Sequence, residues 1–299
     1  MTQVPCYPDF VPMSLELKDI LHPRLSLTAD GISEFTFSGL YLFRNRYDYK
    51  ISRDGKNGNF IISGKDAASV GKRFFMTPCG APYNDTLMSL FENHDYWKNI
   101  SETIIASSGA MLEECGILIN EDRDNFDYLH FRNEIAELKG KKFHKKKNHV
   151  NNFINNYSYE YQPFTSAFLE QAVEILDQWR QDKGGDGDYF SAREALEAFN
   201  SLALKGSIFF AEGRPAGYCL GESIAKGKMF AIHFEKAIDH YKGIYQFMNQ
   251  AFAASLPRFF IYLNREQDLG DKGLRQAKMS YRPCAYVKKF KGTLKEKIQ

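Results

Sequence analysis

From Ser207 to Ala237 the chain reads as three strands joined by two short glycine turns, and this feature narrows the folds open to it more than any other. SIFFAE and GYCLGESI are separated by Gly213-Arg214-Pro215, and KMFAIHFEKA follows Lys226-Gly227. Connections this short allow only antiparallel reversals, so the segment is a meander. Two helical patterns precede it. The first, Thr165 to Asp182, puts Phe168, Leu169, Ala172, Val173, Leu176 and Trp179 on one face. The second runs to Leu204 with Ser191 and Glu194 spaced as a capping box. After the meander come a helix near Gly243 to Leu256, the apolar run RFFIYLNRE, a short helix near Gly273 to Lys278 and the strand-like CAYVKKF. RFFIYLNRE reads as a strand buried on both faces.

The first half carries less regular signals. Ser14 to Leu21 reads as a helix ending at the His22-Pro23 break. GISEFTFSGLYLF, YDYKISRD and FIISG read as strands, the last two joined by the hairpin turn Asp54 to Gly58. Arg73 to Met76 is a further strand, and helices follow near Asn84 and from Glu102 to Glu114. Tyr128 to Phe131 returns to strand. Strands and helices alternate in both halves of 299 residues, which favours a mixed α/β fold in two domains of similar size.

Charge is close to balanced, at +2 overall, and this argues against holding a polyanion by net charge. The balance is not local. KGKKFHKKKNHVNNFINN, residues 139 to 156, has six lysines, two histidines and no acid, leaving the rest of the chain near −4. On a helical wheel Lys141, Lys145, Asn148 and Asn152 share one face, while Phe143, Val150, Phe153 and Ile154 fall on the other. Lysines without i+4 carboxylates repel one another, so the face fits either a phosphate-bearing ligand or a solvated helix linking two domains.

Other candidate groups lie at strand ends. Lys242 and Gly243 stand where a strand meets a helix N-terminus, a place for an anion or simply a tight turn. His233 lies within the third meander strand, as a structural residue or as a base. NREQDLGDKGLRQAKMSYRP, residues 264 to 283, is dense in polar groups after an apolar run. Glu266 and Asp268 offer carboxylates to take a proton, and Arg275 and Lys278, three apart, offer charge for an acyl or phosphate group. The other reading of this segment is a surface loop with a salt-bridged helix. The chain has no GxGxxG after a strand, no Walker A, no HExxH and no nucleophile elbow. Five scattered cysteines without CxxC spacing predict reduced thiols in a cytosol and no metal framework. Neither a secretory signal nor an apolar run of membrane-spanning length is evident, so a cytoplasmic chain is expected, and nothing in the sequence supports a peripheral membrane contact.

AELKGKKFHKKKNHVNNF, residues 136 to 153, together with NREQDLGDKGLRQAKMSYRP resembles the DUF2156 family, grouped with the C-terminal catalytic domain of phosphatidylglycerol lysyltransferases. The resemblance covers about residues 20 to 292. It implies two tandem GNAT-like (acyl-CoA N-acyltransferase) domains, residues 1–157 with a basic connecting helix and residues 158–299. It further implies transfer of an amino acid or acyl group from an activated donor, aminoacyl-tRNA or acyl-CoA. By that resemblance Lys141, Lys142, Lys145 and Lys146 face the polyanionic substrate, and Lys278 is the lysine of the terminal helix-to-strand motif. The chain departs from the family in having no flippase-like membrane region, and KGIY stands where acetyl-CoA enzymes carry their pyrophosphate loop. The alternative to an enzyme is a non-catalytic tandem module that binds tRNA or another phosphate-rich ligand.

Overall fold

Asp54 closes the first hairpin by accepting from the Gly58 amide and donating to the Asn59 carbonyl, a six-residue turn set by the glycine spacing. In the computed structural model, which describes residues 3–67 and 69–295, the chain divides into two compact units. The first extends through Asp127 and also takes Gln267–Gly270 and the residues from Val287 on; the second takes Tyr128–Glu266 and Asp271–Tyr286.

The first unit begins with β1 (Val11–Pro12), α1 (Lys18–Leu25), α2 (Phe37–Leu42) and α3 (Arg44–Tyr47). β2 (Lys50–Arg53), β3 (Phe60–Lys65), β4 (Arg73–Met76), α4 (Asn84–Asn93), β5 (Tyr96–Ile100), α5 (Glu102–Glu114) and β6 (Ile117–Glu121) follow. The second unit contains β7 (Asp127–Phe131) from Tyr128 on, α6 (Arg132–Glu137), α7 (His144–Asn156), β8 (Tyr159–Pro163), α8 (Leu169–Lys183), α9 (Tyr189–Glu197) and α10 (Phe199–Leu202). It continues through the meander β9 (Lys205–Ala211), β10 (Arg214–Ile224) and β11 (Met229–Ala237), then α11 (Ile244–Ser255), β12 (Tyr262–Asn264), α12 (Lys272–Met279) and β13 (Ala285–Val287). β14 (Phe290–Leu294) returns to the first unit.

Each unit is built on a seven-stranded sheet, and the two sheets repeat one order. The first runs β1-β2-β3-β4-β5-β14-β6 and the second β8-β9-β10-β11-β12-β7-β13. In both, an antiparallel meander is followed by a helical crossover to a parallel neighbour, β4 to β5 and β11 to β12. Each sheet then takes in a strand from a distant part of the chain, β14 or β7, antiparallel to that neighbour. The crossover helices bury one face. Leu87, Leu90 and Phe91 of α4 pack with Phe75 and Trp97, and Phe247, Met248 and Phe252 of α11 pack with Phe209, Phe230 and Leu263. Fully burying side chains of this size contributes roughly 1.5–3 kcal/mol each.

Several expected elements are different in the structure. GISEFTFSGLYLF forms α2, not a strand. Thr36 caps it by accepting from the Gly39 amide at 2.9 Å, and Phe37, Leu40 and Leu42 are buried together with the intervening Ser38 and Gly39. Burial on every side removes the periodicity that separates helix from strand. Helix α1 runs through Pro23, and Ser191 and Glu194 lie inside α9, which begins at Tyr189. RFFIYLNRE yields only the three-residue β12, because Pro257 starts a turn that leaves Phe259 and Ile261 exposed. The basic helix α7 packs within the second unit, against α11.

Candidate functional site

Parallel strands that diverge past their paired residues leave a crevice at their carboxyl ends, and this is where polar groups gather in the second unit. β11 and β12 pair only over Met229–Ala231 and Tyr262–Asn264, after which Arg265 and Glu266 part from β11 while their backbone stays hydrogen-bonded to Tyr128 of β7. Glu266 takes a left-handed backbone, φ 55°, which turns the chain out of the strand. Opposite it, β11 bulges at His233: Leu220 faces Phe234 and Gly221 faces Ile232, so His233 has no partner in β10. A side chain at Gly221 would collide with the Ala231 carbonyl, so only glycine lets the bulged strand lie this close.

The bulge places the imidazole between two carboxylates. Nδ1 lies 2.7 Å from Glu266 Oε1 and Nε2 lies 3.0 Å from Glu222 Oε1. Burial alone would drive the ring toward its neutral form. The two hydrogen bonds and the charges of Glu222 and Glu266 outweigh it and hold the pKa at about 10. His233 is therefore an imidazolium at neutral pH, donating from both nitrogens, and does not serve as a base there. Its side chain is 2% exposed and that of Glu266 19%, so the carboxylate fixed by the buried cation is the member of the trio with access to solvent.

Beside this trio Arg265 Nη2 donates to Glu235 Oε2 at 2.6 Å, and Asn249 Nδ2 donates to Glu235 Oε1 at 2.7 Å. Lys278 Nζ, on α12, donates to the Arg265 carbonyl at 2.6 Å, which ties the end of β12 to the helix that follows. Arg275 lies half-buried on that helix, three residues earlier. Asp268 does not join the trio. It belongs to the first unit, is fully buried, accepts from the Gly270 amide at 2.9 Å and lies 3.5 Å from Arg123 Nη1. A carboxylate so enclosed shapes the turn and has no route for taking a proton from a substrate.

The basic segment forms a short turn at Lys141–Phe143 and then α7. Phe143, Val150 and Phe153 are buried, while Ile154, expected among them, is 38% exposed. Lys141, Lys145 and Lys147 point to solvent, Lys142 pairs with Glu134 at 2.7 Å, and Lys146 turns inward over the Tyr281 ring at 4.1 Å. Gly243 does allow a close backbone approach, at φ 97°, and what approaches is the His149 carbonyl of α7. The adjacent Lys242 carbonyl accepts from Asn152 of the same helix at 3.4 Å, and its side chain is exposed. The start of α11 is thus occupied by protein, not open to an anion.

Glu222, Glu235 and Arg265 were not singled out in the sequence. A glutamate inside the strand GYCLGESI, opposite a strand carrying a histidine, is the one signal that points to the trio. All five cysteines are free thiols, and among the described residues no group of three or more His, Cys, Asp or Glu could hold a metal and no helix is long and apolar enough to cross a membrane.

Residues 26–291 match the family described as phosphatidylglycerol lysyltransferase, C-terminal. A solved structure of a conserved protein of unknown function from Bacteroides thetaiotaomicron is 29% identical, with a TM-score of 0.85 over 96% of this chain and 99% of that one. The structure of L-PGS from Bacillus licheniformis is 13% identical, with a TM-score of 0.56 over 98% and 94%. A tandem GNAT protein from the clavulanic acid biosynthesis pathway is 9% identical, with a TM-score of 0.51 over 95% and 97%. The fold is thus that of tandem GNAT-like proteins. An uncharacterized protein of Mycoplasmoides gallisepticum is 25% identical over 179 residues, 58% of this chain and 57% of its own, so the chain spans little more than half of that curated relative.

Proposed function

We propose that this chain, which belongs to the phosphatidylglycerol lysyltransferase C-terminal family, transfers an acyl or aminoacyl group from an activated donor to an amine or hydroxyl. The observation that carries this reading is the solvent-reaching Glu266 carboxylate, fixed at 2.7 Å by a buried imidazolium where two parallel strands part. The acceptor's nucleophile attacks the donor carbonyl, a C–N or C–O bond forms and the ester or thioester bond breaks; Glu266 takes the nucleophile's proton, and that proton is returned to the departing tRNA hydroxyl or CoA thiol. His233 and Glu222 hold that carboxylate in place. Lys278, through the Arg265 carbonyl, fixes the strand end, and Arg275 supplies charge on the same helix. Most of the rate then comes from positioning, as acyl transfer from an activated donor needs little else.

The donor is aminoacyl-tRNA or acyl-CoA, and the exposed Lys141, Lys145 and Lys147 of the acid-free segment supply phosphate contacts for either. A second reading, a non-catalytic module for tRNA or another phosphate-rich ligand, is favoured by one observation: Asp268 and Lys278 are engaged with the protein itself. Transfer of labelled amino acid from charged tRNA, and of labelled acyl from acyl-CoA, separates the two. The enzyme reading expects transfer from one donor and a loss of about 100-fold in Glu266→Gln, the size expected for a lost proton acceptor. Polyanion binding that weakens in Lys145→Ala, with no transfer from either donor, supports the module. If neither donor binds above background, both readings fail.

A further inference from the structure

Tyr281 lies 4% exposed in the second unit with three polar side chains around its ring. The Arg265 guanidinium carbon is 4.8 Å from the ring centroid, Lys146 Nζ is 4.1 Å from it, and the His130 ring stands edge-on at 6.3 Å. Arg265 Nη2 donates to Glu235, and its guanidinium lies beside the Tyr281 hydroxyl as the His130 ring lies beside the Lys278 backbone. Even so, Arg265 Nε and Nη1, the Tyr281 hydroxyl and both ring nitrogens of His130 are buried with no well-aligned hydrogen bond. Glu235 accepts from Arg265 Nη2 on one oxygen and from Asn249 on the other. Buried donors of this number, concentrated on one ring, destabilise a fold unless something accepts from them.

The charge of the cluster says what kind of group that is. Burial, and then the neighbouring Arg265, push His130 down to about 3, so it is neutral. The same two causes push Lys146 down to about 8, which leaves it mostly protonated at neutral pH. Arg265, paired with Glu235, and Lys146 thus place two cations on one ring, together with unused donors. We propose that Arg265, Tyr281, His130 and Lys146 form a binding subsite for a small oxyanion, a phosphate or carboxylate group, separate from the solvent-facing lysines of α7. An anion there accepts from the guanidinium and the hydroxyl and pairs with Lys146, satisfying atoms that the protein leaves unserved.

The subsite is tested with inorganic phosphate and with acetate, in calorimetric titrations and thermal-shift measurements matched in ionic strength with chloride. One or both anions are expected to bind and to raise the melting temperature. Lys146→Met and Tyr281→Phe, which leave the Arg265–Glu235 pair intact, weaken that binding about fivefold or more. Phosphate alone points to a donor's phosphate group, acetate alone to a substrate carboxylate. Acylation of Lys146 by limiting acetic anhydride falls when the anion is bound, while that of the exposed Lys145 does not change. The proposal is overturned if neither anion binds, or if both variants bind as the unaltered protein does. No acyl donor is present in these measurements, so their failure leaves the transferase reading standing, and failure of transfer leaves this one standing.

Discussion

The two units share a strand order yet differ in charge where their parallel strands part. By register, Phe75 faces Trp97 as Ala231 faces Asn264, and Ser63 faces Phe75 as Glu222 faces Ala231. Counting on, Asn99 stands where the second unit has Glu266, both in the left-handed region at φ 56° and 55°, and Thr77 stands where it has His233. The trio Glu222, His233 and Glu266 is thus matched by Ser63, Thr77 and Asn99, none of which carries charge. The first unit places its charge elsewhere: Lys289, on the returning strand segment, lies buried against Glu34 and, at 2.6 Å, Asp127. Burial pulls the Lys289 pKa down, and the two carboxylates more than restore it. Both units therefore enclose one cation between two carboxylates. Among the described residues it is the second unit that sets one of those carboxylates, Glu266, at the strand divergence, so the backbone plan is repeated and the placement of charge is not.

The largest effect follows from removing the first unit's cation. Lys289→Met removes the cation held between Glu34 and Asp127 and leaves the buried Asp127 carboxylate to its hydrogen bonds from Ser33, and the expected loss is about 3–5 kcal/mol in denaturant unfolding. A loss under 1 kcal/mol would show that water reaches this cluster. Next is the start of the crossover helix, where the units again differ. Helix α4 follows Tyr83 at φ −64°, whereas α11 follows Gly243 at φ 97° with α7 pressed on it. Gly243→Ala is expected to cost about 2–3 kcal/mol through the collision and the left-handed backbone, while Tyr83→Ala stays within about 1 kcal/mol.

A smaller effect concerns pH. The folded pKa of His233, about 10, exceeds the roughly 6.5 of an unfolded histidine, so its stabilisation is complete below about pH 6.5 and is lost as pH rises toward 10. Glu222→Gln removes one of the two carboxylates and moves that loss to lower pH, read by the NMR titration of the His233 ring. An unchanged titration would mean Glu266 alone holds the proton. The smallest effect belongs to the solvent-facing lysines. Lys145→Ala changes stability by no more than about 0.5 kcal/mol and lowers the salt dependence of polyanion binding by about one counterion. Equal binding with and without Lys145 would remove this residue from the interface.

Local features of the fold were legible in the sequence. The meander, the Asp54–Gly58 hairpin, α11 and the buried Phe143, Val150 and Phe153 all follow from turn residues or periodicity within about fifteen residues. What was not legible depends on distant pairing. β14 inserts between β5 and β6, and β7 between β12 and β13, by contacts that no local pattern encodes. β5, YWKNI, is interrupted by Lys98 and Asn99 and carries no alternation, and α2 is buried on all sides. The site divides in the same way. Glu266 stands out as a carboxylate after an apolar run, but its partners Glu222 and His233 come from strands brought together by a hairpin and a bulge. Asp268 looks equivalent to Glu266 in the sequence, and only the turn at Leu269–Gly270 sends it into the buried interior of the first unit.

The claim that the second unit alone carries the chemistry is tested most directly by single-turnover transfer in two matched variants, Glu266→Gln and Asn99→Gly, with whichever donor supports the reaction. Glycine suits the left-handed backbone at Asn99, so that variant removes the side chain without straining the chain. The account predicts that Glu266→Gln slows transfer about 100-fold and Asn99→Gly less than about twofold. Equal losses in the two variants, or full activity in Glu266→Gln, would contradict it.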